Sequence, residues 1–204
     1  MKNIKKNFLI ITLLAGTSLL ASEKTVQEPA ISQLDFVGKL LEIRQTTPNF
    51  FDAAQKIDHL ITHNISDKYL GDLALDSLVK NYLQNKSNRE LNALFFDFSV
   101  NGRHSLSALL ALKKAGGDIN TIDGNRSATP LMWAIEFYNT KTNDQQKYLQ
   151  TIKDLLAAGA NPETKAFGLG SLSIKASQKD AFSLTKKYNL KEIEALLEKY
   201  KQKE

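Results

Sequence analysis

A chain of 204 residues, 42% of them apolar, is long enough for one domain that buries roughly 70% of its unfolded surface, or for one elongated stack of helical repeats. It has no cysteine, which excludes disulfides and thiolate metal sites, so stability has to come from packing. Of the 27 Lys and Arg, three (Lys2, Lys5 and Lys6) stand in an N-terminal segment expected to be removed, leaving 24 against 22 acidic residues and no basic surplus of the kind that gathers on a nucleic-acid-binding face.

That segment, "MKNIKKNFLIITLLAGTSLLAS", has a basic start, an apolar run from Phe8 to Leu20 and small residues around Ala21 and Ser22. This is the layout of a secretory signal peptide over residues 1–21, cleaved after Ala21. The alternative is retention as an anchor. A spanning helix needs about 20 apolar residues, however, and Thr12, Gly16, Thr17 and Ser18 dilute this run. The expectation is a periplasmic or secreted protein of bacterial style, with no stable membrane insertion after cleavage.

After a linker over residues 22–34, apolar residues recur at helical spacing. "LDFVGKLLEIRQ" puts Phe36, Val37, Leu40, Leu41 and Ile43 on one stripe behind Asp35 as cap, and Pro48 ends the segment. "NFFDAAQKIDHLITHN" aligns Phe50, Phe51, Ala54, Ile57 and Ile61, with Asn64 and Ser66 marking a turn and a fresh cap. "YLGDLALDSLVKNYL" repeats the pattern. These helices form an N-terminal helical region over residues 35–86, read either as a cap or as degenerate repeats.

Ser87 followed by Glu90 predicts a capping box, and Thr129 before Pro130 predicts another sharp helix start. Alternation of period two is scarce, the best case being "FGLGSLSIK" from Phe167 to Lys175, a candidate hairpin. The expected fold is therefore all-α, apart from that hairpin.

Internal similarity is more specific. "LLALKKAGGDIN" (Leu109 to Asn120) returns as "IKDLLAAGANPE" (Ile152 to Glu163), each an amphipathic helix that stops at a glycine, Gly116 or Gly159. A weaker third copy, "AFSLTKKYNLKEIEALLEKY", closes the chain. Thr129-Pro130-Leu131-Met132-x-Ala134, Leu155-Leu156-x-x-Gly159-Ala160-Asn161 and Gly116-Gly117-Asp118-Ile119-Asn120 together resemble the ankyrin repeat. In that family an inner helix opening Thr-Pro-Leu-His-x-Ala is followed by an outer helix and a projecting β-turn finger. The resemblance implies an ankyrin-like solenoid of about three repeats over residues 87–204, with Trp133 in the core. Two departures stand out. Met132 replaces the family's His, and Gly116 and Gly159 are 43 residues apart rather than about 33, most of the excess falling in "NTKTNDQQK".

Signals for catalysis are weak. His59 and His63 have the i, i+4 spacing of two imidazoles on one metal, but Leu60 stands where a zinc protease carries its Glu. His104 lies in a turn, and the chain has no G-x-S-x-G elbow and no P-loop. A small metal-dependent enzyme using His59 and His63 is thus the alternative reading. The preferred expectation is a non-enzymatic adaptor or inhibitor that binds a protein partner, with no metal and no cofactor. In the register implied by the resemblance, Asn125 and Arg126 occupy a finger tip, while Glu136 and Phe137 turn toward the concave side, and these four are the candidate partner-binding residues.

Overall fold

The computed structural model describes residues 32–64, 68–124, 127–166 and 179–201. Among them are nine α-helices: α1 (Gln33–Thr46), α2 (Phe50–Asn64), α3 (Lys68–Leu78), α4 (Asn88–Val100), α5 (Leu106–Lys114), α6 (Pro130–Thr140), α7 (Gln145–Ala157), α8 (Ala181–Lys187) and α9 (Lys191–Tyr200). A π-helical turn, Val79–Leu83, continues α3, and a 3-10 turn, Thr142–Asp144, precedes α7. No strand occurs among the described residues; one antiparallel bridge joins Ala166 to Lys179. The candidate hairpin at residues 167–175 lies outside the described residues. No helix among the described residues is long and apolar enough to cross a membrane.

Helix starts follow local chemistry. The Ser87 N–H donates to Glu90 Oε2 at 2.8 Å and the Glu90 N–H to Ser87 Oγ at 3.4 Å, completing the reciprocal box. Thr129 Oγ1 accepts the Met132 N–H at 3.3 Å, with Pro130 in the first turn, where its missing N–H leaves no bond unmade. At α1 the cap is Ser32 rather than Asp35. Asp35 stands in the first turn, donates its N–H to Ser32 Oγ at 3.2 Å and accepts the Ser32 hydroxyl at 2.6 Å. A carboxylate there suits the positive end of the helix dipole.

Helix ends are equally local. At α5 the Gly117 N–H reaches Leu112 O and the Gly116 N–H reaches Lys113 O; at α7 the Ala160 N–H reaches Leu155 O and the Gly159 N–H reaches Leu156 O, all at 2.9 to 3.0 Å. This paired Schellman closure needs a left-handed residue, and Gly116 and Gly159 supply it at φ 100° and 96°. Gly159→Ala is expected to destabilise by about 1 kcal/mol, because a β-carbon is strained at this φ and would sit 3.0 Å from Lys113 Nζ. Denaturation midpoints measure it, and an unchanged midpoint would tell against this closure.

The helices pack in two rows. α4, α6 and α8 succeed one another in one row and α5, α7 and α9 in the other, while α4 with α5, α6 with α7 and α8 with α9 pack as pairs. On the N-terminal side α2 and α3 lie against α5, and α1 lies on α2 and α3. A continuous apolar core results, running from Phe36 through Phe95, Leu109, Leu131 and Leu155 to Ile193 and Leu197. Its centre is α6, which α4, α7 and α8 flank, so that Leu131, Met132, Trp133, Ala134 and Ile135 are all buried. The long interval between the two glycines is absorbed by α6 running to Thr140 and by the 3-10 turn behind it.

The stripe read on α1 is only half used. Phe36 and Leu40 are buried and Ile43 packs partly against the core, but Val37 and Leu41 remain exposed. Helical period placed them on one broad face, whereas α2 and α3 cover only part of its width.

Candidate functional site

Two edges of the molecule gather polar groups. The first follows the C-terminal ends of α5 and α7, where each chain exit is built alike. Asp118 Oδ1 accepts the N–H of Asn120, and Asn161 Oδ1 accepts that of Glu163, both at 2.9 Å. These turns are linked across the stack. Asn92 on α4 accepts the Asp118 N–H at 2.9 Å and donates to Thr121 Oγ1 at 3.1 Å, and Asn120 Oδ1 accepts the Asn161 N–H at 2.7 Å. Lys113 Nζ adds a bond to Ala158 O at 2.5 Å.

Asn125 and Arg126, the expected finger tip, lie outside the described residues. The chain on either side of them is held by the Asp123 N–H to Ala128 O at 3.0 Å and the Ser127 N–H to Asp123 O at 2.7 Å. Glu136 is partly buried and accepts the Tyr188 hydroxyl at 2.5 Å, which Lys187 Nζ contacts in turn at 2.7 Å. Phe137 is half-buried. Its ring lies between Trp133 and Tyr148, with centroids 5.4 and 5.6 Å away and planes 18° apart in both cases, so it is held toward α7. Stacking there keeps apolar ring area from water, which an open position would forfeit.

The second edge is at the opposite end of α5. A cleft of about 340 Å³ is lined by Gln55 of α2, Asn101, Gly102, Arg103 and His104 of the α4–α5 turn, and Lys147 of α7. Its floor is fixed from three sides. Tyr148 Oη donates to Val100 O at 2.9 Å, Thr151 Oγ1 to Arg103 O at 2.8 Å, and Gln55 Nε2 to His104 O at 3.3 Å. Arg103 pairs through Nε with Asp97 Oδ2 at 3.0 Å and lies 4.3 Å from the centroid of the Phe51 ring.

Beneath the cleft, two carboxylates from distant helices flank the first turn of α5. Asp58 of α2 accepts the Ser107 N–H at 3.0 Å and hydrogen bonds from the Ser105 and Ser107 side chains. Burial raises its pKa above the ordinary carboxylate value, while those serine bonds and the nearby His104 oppose the rise. Asp154 of α7 is pushed up to about 7, first by burial and then by the charge of Asp58, against hydrogen bonds from Gln150 and the Ser105 backbone and the charge of Lys153.

Ser, His and Asp are neighbours here, but their roles are not those of a nucleophilic triad, in which the imidazole stands between hydroxyl and carboxylate. Ser105 Oγ caps α5 by accepting the Ala108 N–H at 3.1 Å and bonds directly to Asp58, and His104 is exposed. The arrangement ties α2, α5 and α7 together. Sequence reasoning missed it because Asp58 and Ser107 are 49 residues apart. The only local signal was the Ser105-x-Ser107 start of a helix.

His59 is exposed on α2, and His63 stands in the last turn of the same helix with its side chain outside the described residues. Among the described residues, no group of three or more His, Cys, Asp or Glu side chains is placed to hold a metal ion. No family model matches this chain, and none of the curated proteins and none of the solved structures matches it, so the functional reading rests on the arrangement itself.

Proposed function

We propose that this protein is a non-enzymatic protein-binding module, an ankyrin-like stack of helix pairs that works after export, in the periplasm or outside the cell. The observation that carries the reading is the repetition of one local design. α5 and α7 end in the same glycine closure, followed by the same side-chain-to-backbone turn, and Asn120 bonds one exit to the next. Modules linked in this way hold successive fingers at a set spacing, and an extended surface of that kind serves to dock another protein. Asn125, Arg126 and Glu136 are the residues proposed to meet the partner. Phe137 supports them through its stack with Trp133 and Tyr148.

The test begins with capture from the native envelope and identification of the protein retained, followed by titration of that isolated protein. The joint change Asn125→Ala and Arg126→Ala is expected to weaken binding by about 2 kcal/mol, on the order of thirtyfold, because Arg anchors of interfaces often carry that much. His59→Ala with His63→Ala is expected to leave binding unchanged. The opposite pattern would transfer the function to the metal-dependent alternative. The intact mass of the native chain reports export in the same preparation, and a form still beginning at Met1 would defeat that part of the reading.

A further inference from the structure

The face of α1 turned away from the molecule carries Leu34, Val37 and Leu41, which are 82%, 39% and 50% exposed. At spacings of three and four residues they form one stripe along the helix. Gly38 stands at its middle, and nothing lies within 4 Å of where its β-carbon would be. The opposite end of the stack differs. On α9 the exposed positions are Lys191, Glu192, Ala195, Glu198 and Lys199, a mostly charged surface. Stacks of helix pairs stay soluble by closing each end with a polar outer face. This one has such a face at its C-terminal end and lacks it at α1.

We propose that the stripe is where two copies of the chain meet, α1 against α1 about a two-fold axis, with the two helices antiparallel. Only one end is apolar, so head-to-tail stacking would set Leu34 and Leu41 against the charges of α9, while a two-fold contact matches apolar to apolar and closes. Antiparallel α1 helices also oppose their dipoles favourably. The exposed charges beside the stripe, Asp35 and Glu42 against Lys39 and Arg44, balance, so a second copy meets no net repulsion. That balance disfavours a lipid surface, which selects helices with a Lys- and Arg-rich polar face. With residues 1–21 removed, as the proposed export implies, the ten residues Ser22 to Ile31 offer only Val26, Ala30 and Ile31 as apolar groups, apart from Pro29, and do not repeat the stripe. The three side chains offer roughly 300 Å² per copy, about half of what a stable interface needs when doubled, so the dimer is a weak and reversible one.

A chain without cysteine makes the test direct. Gly38→Cys places a thiol at the two-fold axis, whereas the two Leu34 positions would be about 12 Å apart along antiparallel axes, beyond the roughly 7 Å reach of a disulfide. Under mild oxidation Gly38→Cys is expected to give a covalent dimer and Leu34→Cys is not. Sedimentation of the unmodified chain is expected to show a dimer growing in from tens to hundreds of micromolar, and Leu41→Lys is expected to abolish it without changing the helical content. Equal cross-linking of both cysteine variants would overturn the antiparallel contact. A chain monomeric at all these concentrations would overturn the dimer. In that case, flotation with anionic vesicles would assign the face to lipid, and slow alkylation of Gly38→Cys even in dilute solution would assign it to residues 1–31.

Discussion

Leu156→Ala is expected to lower unfolding stability by about 2 to 5 kcal/mol, the cost of removing buried methyl groups and leaving a cavity that only partly relaxes. Leu156 is 2% exposed and stands in the last turn of α7, next to the fully buried Leu155 and on the helix that packs against α4, α5, α6 and α9. Its carbonyl also accepts the Gly159 N–H, so the residue belongs to both the core and the closure that sets the next turn. Since net stabilities of such domains are about 5 to 15 kcal/mol, a loss of about 5 kcal/mol would remove a third or more of the total. Urea or thermal denaturation followed by circular dichroism measures it. A change below about 1 kcal/mol would mean that Leu156 is not held between the two rows.

Raising the pH from about 4 to 7 is expected to destabilise the protein through Asp154, and Asp154→Asn is expected to remove most of that loss. The folded pKa is about 7 against 3.8 for the free side chain, so between those values the native state keeps a proton that the unfolded chain has released. Stability from this group is therefore fully present below pH 3.8, falls as the pH rises through the window and levels off above 7. The slope is at most about 1.4 kcal/mol per pH unit, and less to the extent that water reaches the carboxylate. Asp58, also raised, adds to the same trend. Glu90 is lowered by its hydrogen bonds with Ser87, and Asp180, against burial, by those with Lys165 and Ser183, so both contribute stability that fades as the pH falls from about 5 and oppose the Asp154 trend only at the acid edge of this window. Denaturation midpoints at pH 4.5, 6 and 8 give the comparison. Parallel profiles for wild type and variant would mean that Asp154 is already ionised in the folded protein at pH 4.5.

Phe137 illustrates how far residue patterns reach. The helix that carries it begins where Thr129 and Pro130 say it should, and Trp133 is buried. The direction of the Phe137 ring depended on Tyr148, which another helix supplies. The same division separates the outer half of the α1 stripe from the inner.

What the amino-acid sequence determined by itself is what one helical turn can settle: the capping box at Ser87, the start at Thr129 and Pro130, the glycine closures at Gly116 and Gly159, and the leucine rows between them. The caps and closures are contacts between residues at most five apart, so the local sequence specifies them before any other helix is in place. Only the tertiary structure decided which flank of each apolar stripe was covered, that Phe137 turned toward α7, and that Asp58 and Asp154 met around the first turn of α5. Periodicity specifies that a face is apolar but not which helix lies against it. The state of a carboxylate depends on the water and charge that distant residues remove or bring.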